Sequence, residues 1–472
     1  MRTRLTIWKK LSVYITFLAI FGMAIQPAMA QPDEELLDIP ADISQFTTHS
    51  DGFQHLDYKS AREEKIFKVE GTLVTYIVDY LDGSENTRQF LVTDEGHRFL
   101  LGPMDTATKF PSSQSRILVR SALKLSDGTS DDLLLYSSQD LVVIQSAVPT
   151  VSNAIGEQKT LFMLANYKDK PTEKPWTPQG LKDGVFKETS DFYYDSSFKQ
   201  TYLTGDSIGY FTTSLTSDTE CPGDAVADEI DIQARAQGFE PRSYAHRLYI
   251  FPASSRCGSV AYAHVGTPVG GSSRAWFFGY ANIAFVAHEM GHNLGLHHAS
   301  TFNCGASALP ANDDFSKCAH TEYGNPADPM GSGGTYYFNA SFRERLKWLN
   351  TSVTRPLADI TQSGTYLLEP YGSQSNGPKA YRIFKRNNSN GSIDFYSLEF
   401  RQPIGYDKGI ERSGNLSKGI LIYLTNSKDS GDAHLLDLNP QTQETRDAAL
   451  EVGKVFNDPF SANGGLKITV NS

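Results

Sequence analysis

The stretch His288-Glu289-Met290-Gly291-His292-Asn293-Leu294-Gly295-Leu296-His297-His298 constrains this chain more than any other, because it sets four imidazoles and a carboxylate within eleven residues. Each buried imidazole needs a hydrogen-bond partner or a metal, so four of them side by side in an apolar core would be costly. In a helix, residues four apart share a face about 6 Å apart, and His288 and His292 can therefore aim at one metal ion. Glu289 lies beside that face without occupying a ligand position, as a general base acting on water must. A further imidazole needs a break in the helix. Six more helical residues would carry His298 about 9 Å along the axis and roughly 240° around it, away from the ion. Gly295 provides the break, since glycine enters the left-handed conformation that ends helices at little cost. His297 and His298 both lie beyond it, and spacing alone leaves open which one turns back to the metal.

Written as HExxHxxGxxH, the stretch resembles the long zinc signature of the metzincin peptidases at all five specified positions. The resemblance implies Zn2+ held by His288, His292 and His298, with Glu289 as the catalytic base and His297 left as a neighbour. It also implies a methionine turn under the ligands, and Asn325-Pro326-Ala327-Asp328-Pro329-Met330-Gly331 stands about thirty residues downstream. Together with Tyr323-Gly324 before it, Phe338-Asn339-Ala340 and a helix ending in Trp348 after it, Leu161 to Asp169 and Asp191-Phe192-Tyr193-Tyr194, this is similar to the gametolysin family of secreted metallopeptidases over about Lys159 to Asn350. One departure is clear. Several metzincin families place a zinc-reaching tyrosine two residues after the methionine, and Ser332 stands there in this chain.

The chain opens with Arg2, Arg4, Lys9 and Lys10, an apolar run from Leu11 to Ile25, and Ala28-Met29-Ala30. This is the pattern of a secretory signal peptide over residues 1–30, and the run of about 15 residues is shorter than the ~20 a membrane span needs. Its removal takes away four positive charges and changes the net charge from −11 to −15. An acidic chain of this kind argues against a nucleic-acid partner. The expected partner is a protein or peptide substrate, with no stable membrane anchor in the exported chain. Secretion gives the four cysteines an oxidising environment, and the simplest pairing is Cys221 with Cys257 and Cys304 with Cys318, although three connectivities exist. The absence of any CxxC spacing disfavours a cysteine-ligated zinc.

Around the histidine stretch the sequence reads as three parts. After a polar lead-in, alternating and β-branched segments (Lys68 to Val78, Gln89 to Thr93, Arg98 to Leu101, Arg116 to Leu123, Asp132 to Tyr136) predict a small OB-like β module ending near residue 147. Its place ahead of a catalytic segment is that of a propeptide. No cysteine lies between Gln31 and Glu220, so a thiolate cannot cap the metal; His97 or an acidic side chain is left for that role. Residues 148–353 predict a buried first strand (Lys159 to Tyr167), a long helix (Gln179 to Phe198), a strand pair around Gly205-Asp206, a helix (Asp224 to Gln237), three strands and the zinc helix from Asn282. Within it, Ala275-Trp276-Phe277-Phe278 is a candidate edge strand for pairing with substrate, and Gly266 to Gly271 a candidate mobile flank. Residues 354–472 read as short strands at sandwich-like intervals. Asp429, Asp432 and Asp437 there lack the spacing of a calcium loop. The expected class is α+β, with a metzincin-like (zincin) domain between an N-terminal and a C-terminal β domain. The expected activity is zinc-dependent endopeptidase; the alternative is a secreted binding or adhesion protein with a structural metal. A zinc hydrolase of glycans or esters ranks last, without paired glycosidase carboxylates.

Overall fold

The computed structural model describes residues 3–9, 62–80, 85–102, 110–145 and 154–472, without residues 112, 127–130, 136–137, 219–220, 255–256, 267–271, 350–356, 428–432, 443–444 and 463 within those spans. Strand β1 (Thr3–Lys9) is followed by β2 (Arg62–Tyr80), β3 (Glu85–Val92), β4 (Arg98–Gly102), β5 (Arg116–Ser126) and β6 (Asp131–Leu135). The last five form a closed barrel in the order β2-β3-β4-β6-β5, with β5 returning to β2. Alternate side chains such as Leu73, Leu91, Leu101, Ile117 and Leu133 fill its interior, as the twofold period of a strand dictates. A short strand β7 (Leu141–Gln145) lies along β5. With 19 residues, β2 outruns the barrel. Its first half pairs with β5, and Tyr76 to Asp79 near its end pair on both sides, with β3 and with a strand of the central region.

That central region contains β8 (Gly156–Asn166), α1 (Pro178–Leu181), α2 (Lys187–Ser196), β9 (Thr201–Thr212), α3 (Asp224–Ala236), β10 (His246–Phe251), β11 (Ser259–His264), β12 (Ser273–Phe278) and α4 (Ile283–Asn293). Its strands continue the barrel's sheet in the order β2-β11-β12-β10-β8-β9, giving eleven strands with β7, β5, β6, β4 and β3. β11 runs antiparallel to both neighbours, whereas β12, β10, β8 and β9 are parallel. Both faces are covered, which is why β10, β11 and β12 are buried at every residue and read as continuous apolar runs. Phe162, Leu164, Leu248 and Ile250 face α2 and α4; Leu161, Met163 and Tyr249 face α3 through Ala227, Ile230 and Ala234.

Beyond α4 come β13 (Ala299–Asn303), β14 (Ala319–Thr321), α5 (Ala340–Arg345), β15 (Leu357–Asp359), β16 (Gly364–Leu368), β17 (Ala380–Asn387), β18 (Ile393–Phe400), β19 (Gly419–Asn426), β20 (Ala433–Leu436), β21 (Leu450–Glu451), β22 (Val455–Asp458) and β23 (Leu466–Val470). An eight-stranded sheet, β14-β13-β20-β19-β18-β17-β15 with β21 on β19, packs against a four-stranded sheet, β16-β1-β23-β22. The other face of the larger sheet, through Leu421, Tyr423 and Leu435, lies on the α4 core.

Several expectations are corrected. The α+β, zincin-like class does not hold: the molecule is mostly β, with about 40% of the described residues in strands and 20% in helices and a closed five-strand barrel. Gln179 to Phe198 is a four-residue α1, a π turn at Lys182–Phe186 and a ten-residue α2. The β modules, read as flanking units, instead share sheets with the centre, β2 with β11 and β20 with β13. Thr201 to Thr212 is one strand, with an irregularity opposite Leu164/Ala165, rather than a pair. Ala275 to Phe278 lies inside the sheet between β11 and β10, so it is no edge. Of the expected leader, Thr3–Lys9 is described, as a strand between β16 and β23; its apolar run and cleavage site lie outside the described residues, as do Gly271, Asp429 and Asp432.

Both disulfides, Cys221–Cys257 and Cys304–Cys318, are present. They indicate an oxidising, extracellular type of environment. Among the described residues no helix is long and apolar enough to cross a membrane.

Candidate metal centre

Helix α4 begins at Asn282, whose side chain caps the backbone N–H groups of Ala284 and Phe285 at 3.0 and 3.2 Å, the usual way of satisfying a helix's first donors. It ends at Leu294, with Gly295 at φ +89°. The N–H of Gly295 then donates to His292 O and that of Leu296 to Gly291 O, which closes off the last turn and reverses the chain. The reversal brings His298 back. Ring centroids of His288, His292 and His298 lie 4.8, 5.2 and 4.9 Å apart. His297, partly exposed, is not in the group; the choice between the two neighbours falls on His298.

Each imidazole is oriented by a bond from its Nδ1. That atom donates to Pro329 O in His288 (2.7 Å), to Leu296 O in His292 (2.8 Å) and to the Glu322 carboxylate in His298 (2.9 Å). With the proton on Nδ1, each ring presents the Nε2 lone pair inward, the state a metal ligand requires. Burial also pushes the His292 imidazole down to about 4, so it stays neutral at neutral pH.

The fourth member is Asp79, from the end of β2. Its Oδ1 lies 3.7 Å from His288 Nε2 and 3.0 Å from His298 Nε2, and its Oδ2 3.7 Å from His292 Nε2. All four ligand atoms fall within 4.8 Å of one another and all four residues are buried. A tetrahedral ion with ligand bonds near 2.1 Å spaces its ligands by ~3.4 Å, so these gaps are those of a shell around one ion. The donor set fits in a second way. Nε2 of His288 and of His292 and Oδ2 of Asp79 are buried without a hydrogen bond, a cost that a cation removes. Burial opposes ionisation of Asp79, but His288, then the other two imidazoles, hold its carboxyl well below the usual range. The group could hold a metal ion.

Glu289 is fully buried beside this shell. Burial first, and then the adjacent Asp79 charge, push its carboxyl well above the usual carboxylate range. Met330 lies beneath α4: a Cβ added to Gly291 would stand 2.3 Å from Met330 Sδ, so the thioether occupies the space a side chain there would take. Asp328 holds the turn, accepting from Met330 N (2.7 Å) and Asn339 Nδ2 (2.8 Å).

Three contributors have no role in the sequence motifs. Asp79 showed only as an acid closing an otherwise apolar run, Val74 to Tyr80, and His97, the other candidate cap, is exposed. Asn293 ties α4 to the sheet, its Nδ2 donating to His264 O and Arg274 O at 3.0 Å each. Tyr323 stacks its ring 3.8 Å from His298 and 5.9 Å from His288, and its hydroxyl donates to Asp79 Oδ1. Its φ of +54° is a conformation non-glycine residues rarely adopt and one that gathers at functional sites. Tyr336 and Tyr337 instead bond Ser413 and Asp195, away from the metal group.

No protein-family model matches this sequence, and no characterised protein compared with it is significantly similar.

Proposed function

We propose that this chain is a secreted zinc metalloendopeptidase that hydrolyses internal peptide bonds of proteins. The observation that carries the reading is the convergence of three Nε2 lone pairs on one point, with Glu289 buried alongside and given no cation of its own. Three neutral imidazoles are a ligand set suited to zinc. Zinc held there by His288, His292 and His298 would supply Lewis acidity, making water a nucleophile near neutral pH and polarising a carbonyl. Glu289 accepts the proton of the attacking water and returns it to the amine nitrogen as the C–N bond breaks. Tyr323 is placed to donate its hydroxyl to the carbonyl oxygen, from the position where it now donates to Asp79. The Nδ1 acceptors keep the imidazoles from turning.

In any form of the chain that cleaves peptides, Glu289→Gln should keep one zinc per chain, measured by metal analysis, and lose about 10²- to 10⁴-fold in cleavage of a denatured protein. Cleavage at an undiminished rate would sink the assignment.

A second reading has one observation in its favour: Asp79 gives the centre a fourth protein ligand, as in a structural metal site. The protein would then be a binding or adhesion module. Against it stands Glu289, whose burial is costly and which a structural ion does not need. In that case no form of the chain would hydrolyse peptides, with or without Asp79.

A further inference from the structure

Resting on the metallopeptidase reading, the position of β2 carries a further step. Without β2, the sheet of the central region would end at β11, whose edge runs beside the metal group. A bare antiparallel edge is the kind of surface that takes an extended peptide through its main chain. Here Tyr76–Tyr80 already fills it, with Tyr76 opposite His264 and Asp79 opposite Ala261. From that register Asp79 reaches into the centre at ligand spacing.

We propose that Tyr76–Tyr80 occupies, in cis, the place of an extended peptide substrate on β11, with the Asp79 carboxylate taking the metal position that water and the scissile carbonyl need. The full chain is then a latent form, opened by withdrawal of β2. What holds the occupant is specific. Tyr323 donates to Asp79. Tyr76 and Arg98 of the barrel both bond Asp224 at the start of α3, and Arg274 of β12 meets the same carboxylate. The edge, once free, selects substrates able to lie as an antiparallel strand.

The test uses the full chain loaded with Co2+ in place of zinc, as wild type, Asp79→Asn, Asp79→Ala and the exposed control Asp94→Ala. Two properties are read: the visible Co2+ spectrum and the affinity of a fluorescent peptide hydroxamate, which ligates the metal. Asp79→Asn preserves size and the partner of Tyr323, so it stays informative if Asp79→Ala does not fold. Both Asp79 variants should change the spectrum and bind the probe at least about 100-fold more tightly than wild type, because an intramolecular occupant competes at an effective concentration near millimolar. Asp94→Ala should match wild type. Equal probe affinity in wild type and Asp79→Asn, or an unaltered Co2+ spectrum, overturns the latch. Probe access gained in Asp79→Asn without any peptide hydrolysis would uphold the latch and remove the peptidase reading. Glu289-dependent hydrolysis by wild type as fast as by Asp79→Asn would do the reverse.

Discussion

At the scale of single residues, the three imidazoles matter less as donors than as oriented donors. Pro329 O, Leu296 O and Glu322 each hold an Nδ1 proton, and such outer partners decide how well a ligand's lone pair is aimed. Tyr323 sits among them, and its hydroxyl defines where an oxygen on the metal would find a donor. In any form of the chain that cleaves peptides, Tyr323→Phe is expected to lower kcat by about 10²-fold with KM and zinc content nearly unchanged. Steady-state kinetics beside metal analysis check this, and an equal fall in zinc content would make Tyr323 a packing residue. The tyrosine was hidden in the sequence because it precedes Met330 by seven positions instead of following it.

At the scale of elements, α3 is bound to the sheet by buried charge. Arg274 of β12 pairs with Asp224, Asp228 and Asp231, Arg247 of β10 also pairs with Asp231, and Tyr249 donates to Asp231 Oδ1 at 2.8 Å. Pairs of this kind add little over apolar packing, but removing one partner leaves uncompensated charge and costs about 3–5 kcal/mol. Arg274→Met is therefore expected to lower unfolding stability by about that amount in urea titration. Because Asp224 also meets Tyr76 and Arg98, the same substitution should loosen the barrel's hold on the centre. These elements were legible in kind. Val226, Ile230 and Ala234 at helical spacing marked α3, and Gly295 marked the end of α4. The long helix from Gln179 was not legible as broken, since its apolar face continues through the π turn at Lys182–Phe186.

At the scale of the whole molecule, the eleven- and eight-stranded sheets share one core around α4, and stability should follow the protonation of groups buried there. His246 is buried between Asn293 Oδ1 (3.3 Å) and Gln158 (3.1 Å). Since Asn293 Nδ2 is committed to His264 O and Arg274 O, its oxygen accepts from His246 Nδ1. Burial pushes this imidazole down to about 4 and that of His264 to about 3. The unfolded chain therefore binds these protons more readily, and the stability they contribute is complete above pH 6.5 and lost as pH falls towards 4. From pH 7 to pH 5 the loss from His246 is about 2 kcal/mol, and urea titrations of His246→Gln should show a pH dependence flatter by that amount. By itself the sequence determined the local chemistry: which imidazoles and carboxylate stand together on α4, where that helix ends, and that the first module is β. Those follow from periodicity, caps and short spacings, which act over a few residues. Only tertiary structure decided that the β modules merge with the central sheet, that the class is mostly β, and that Asp79 reaches the histidines across more than two hundred residues. Strand order and register set those contacts, and they depend on which edges meet when the whole chain packs.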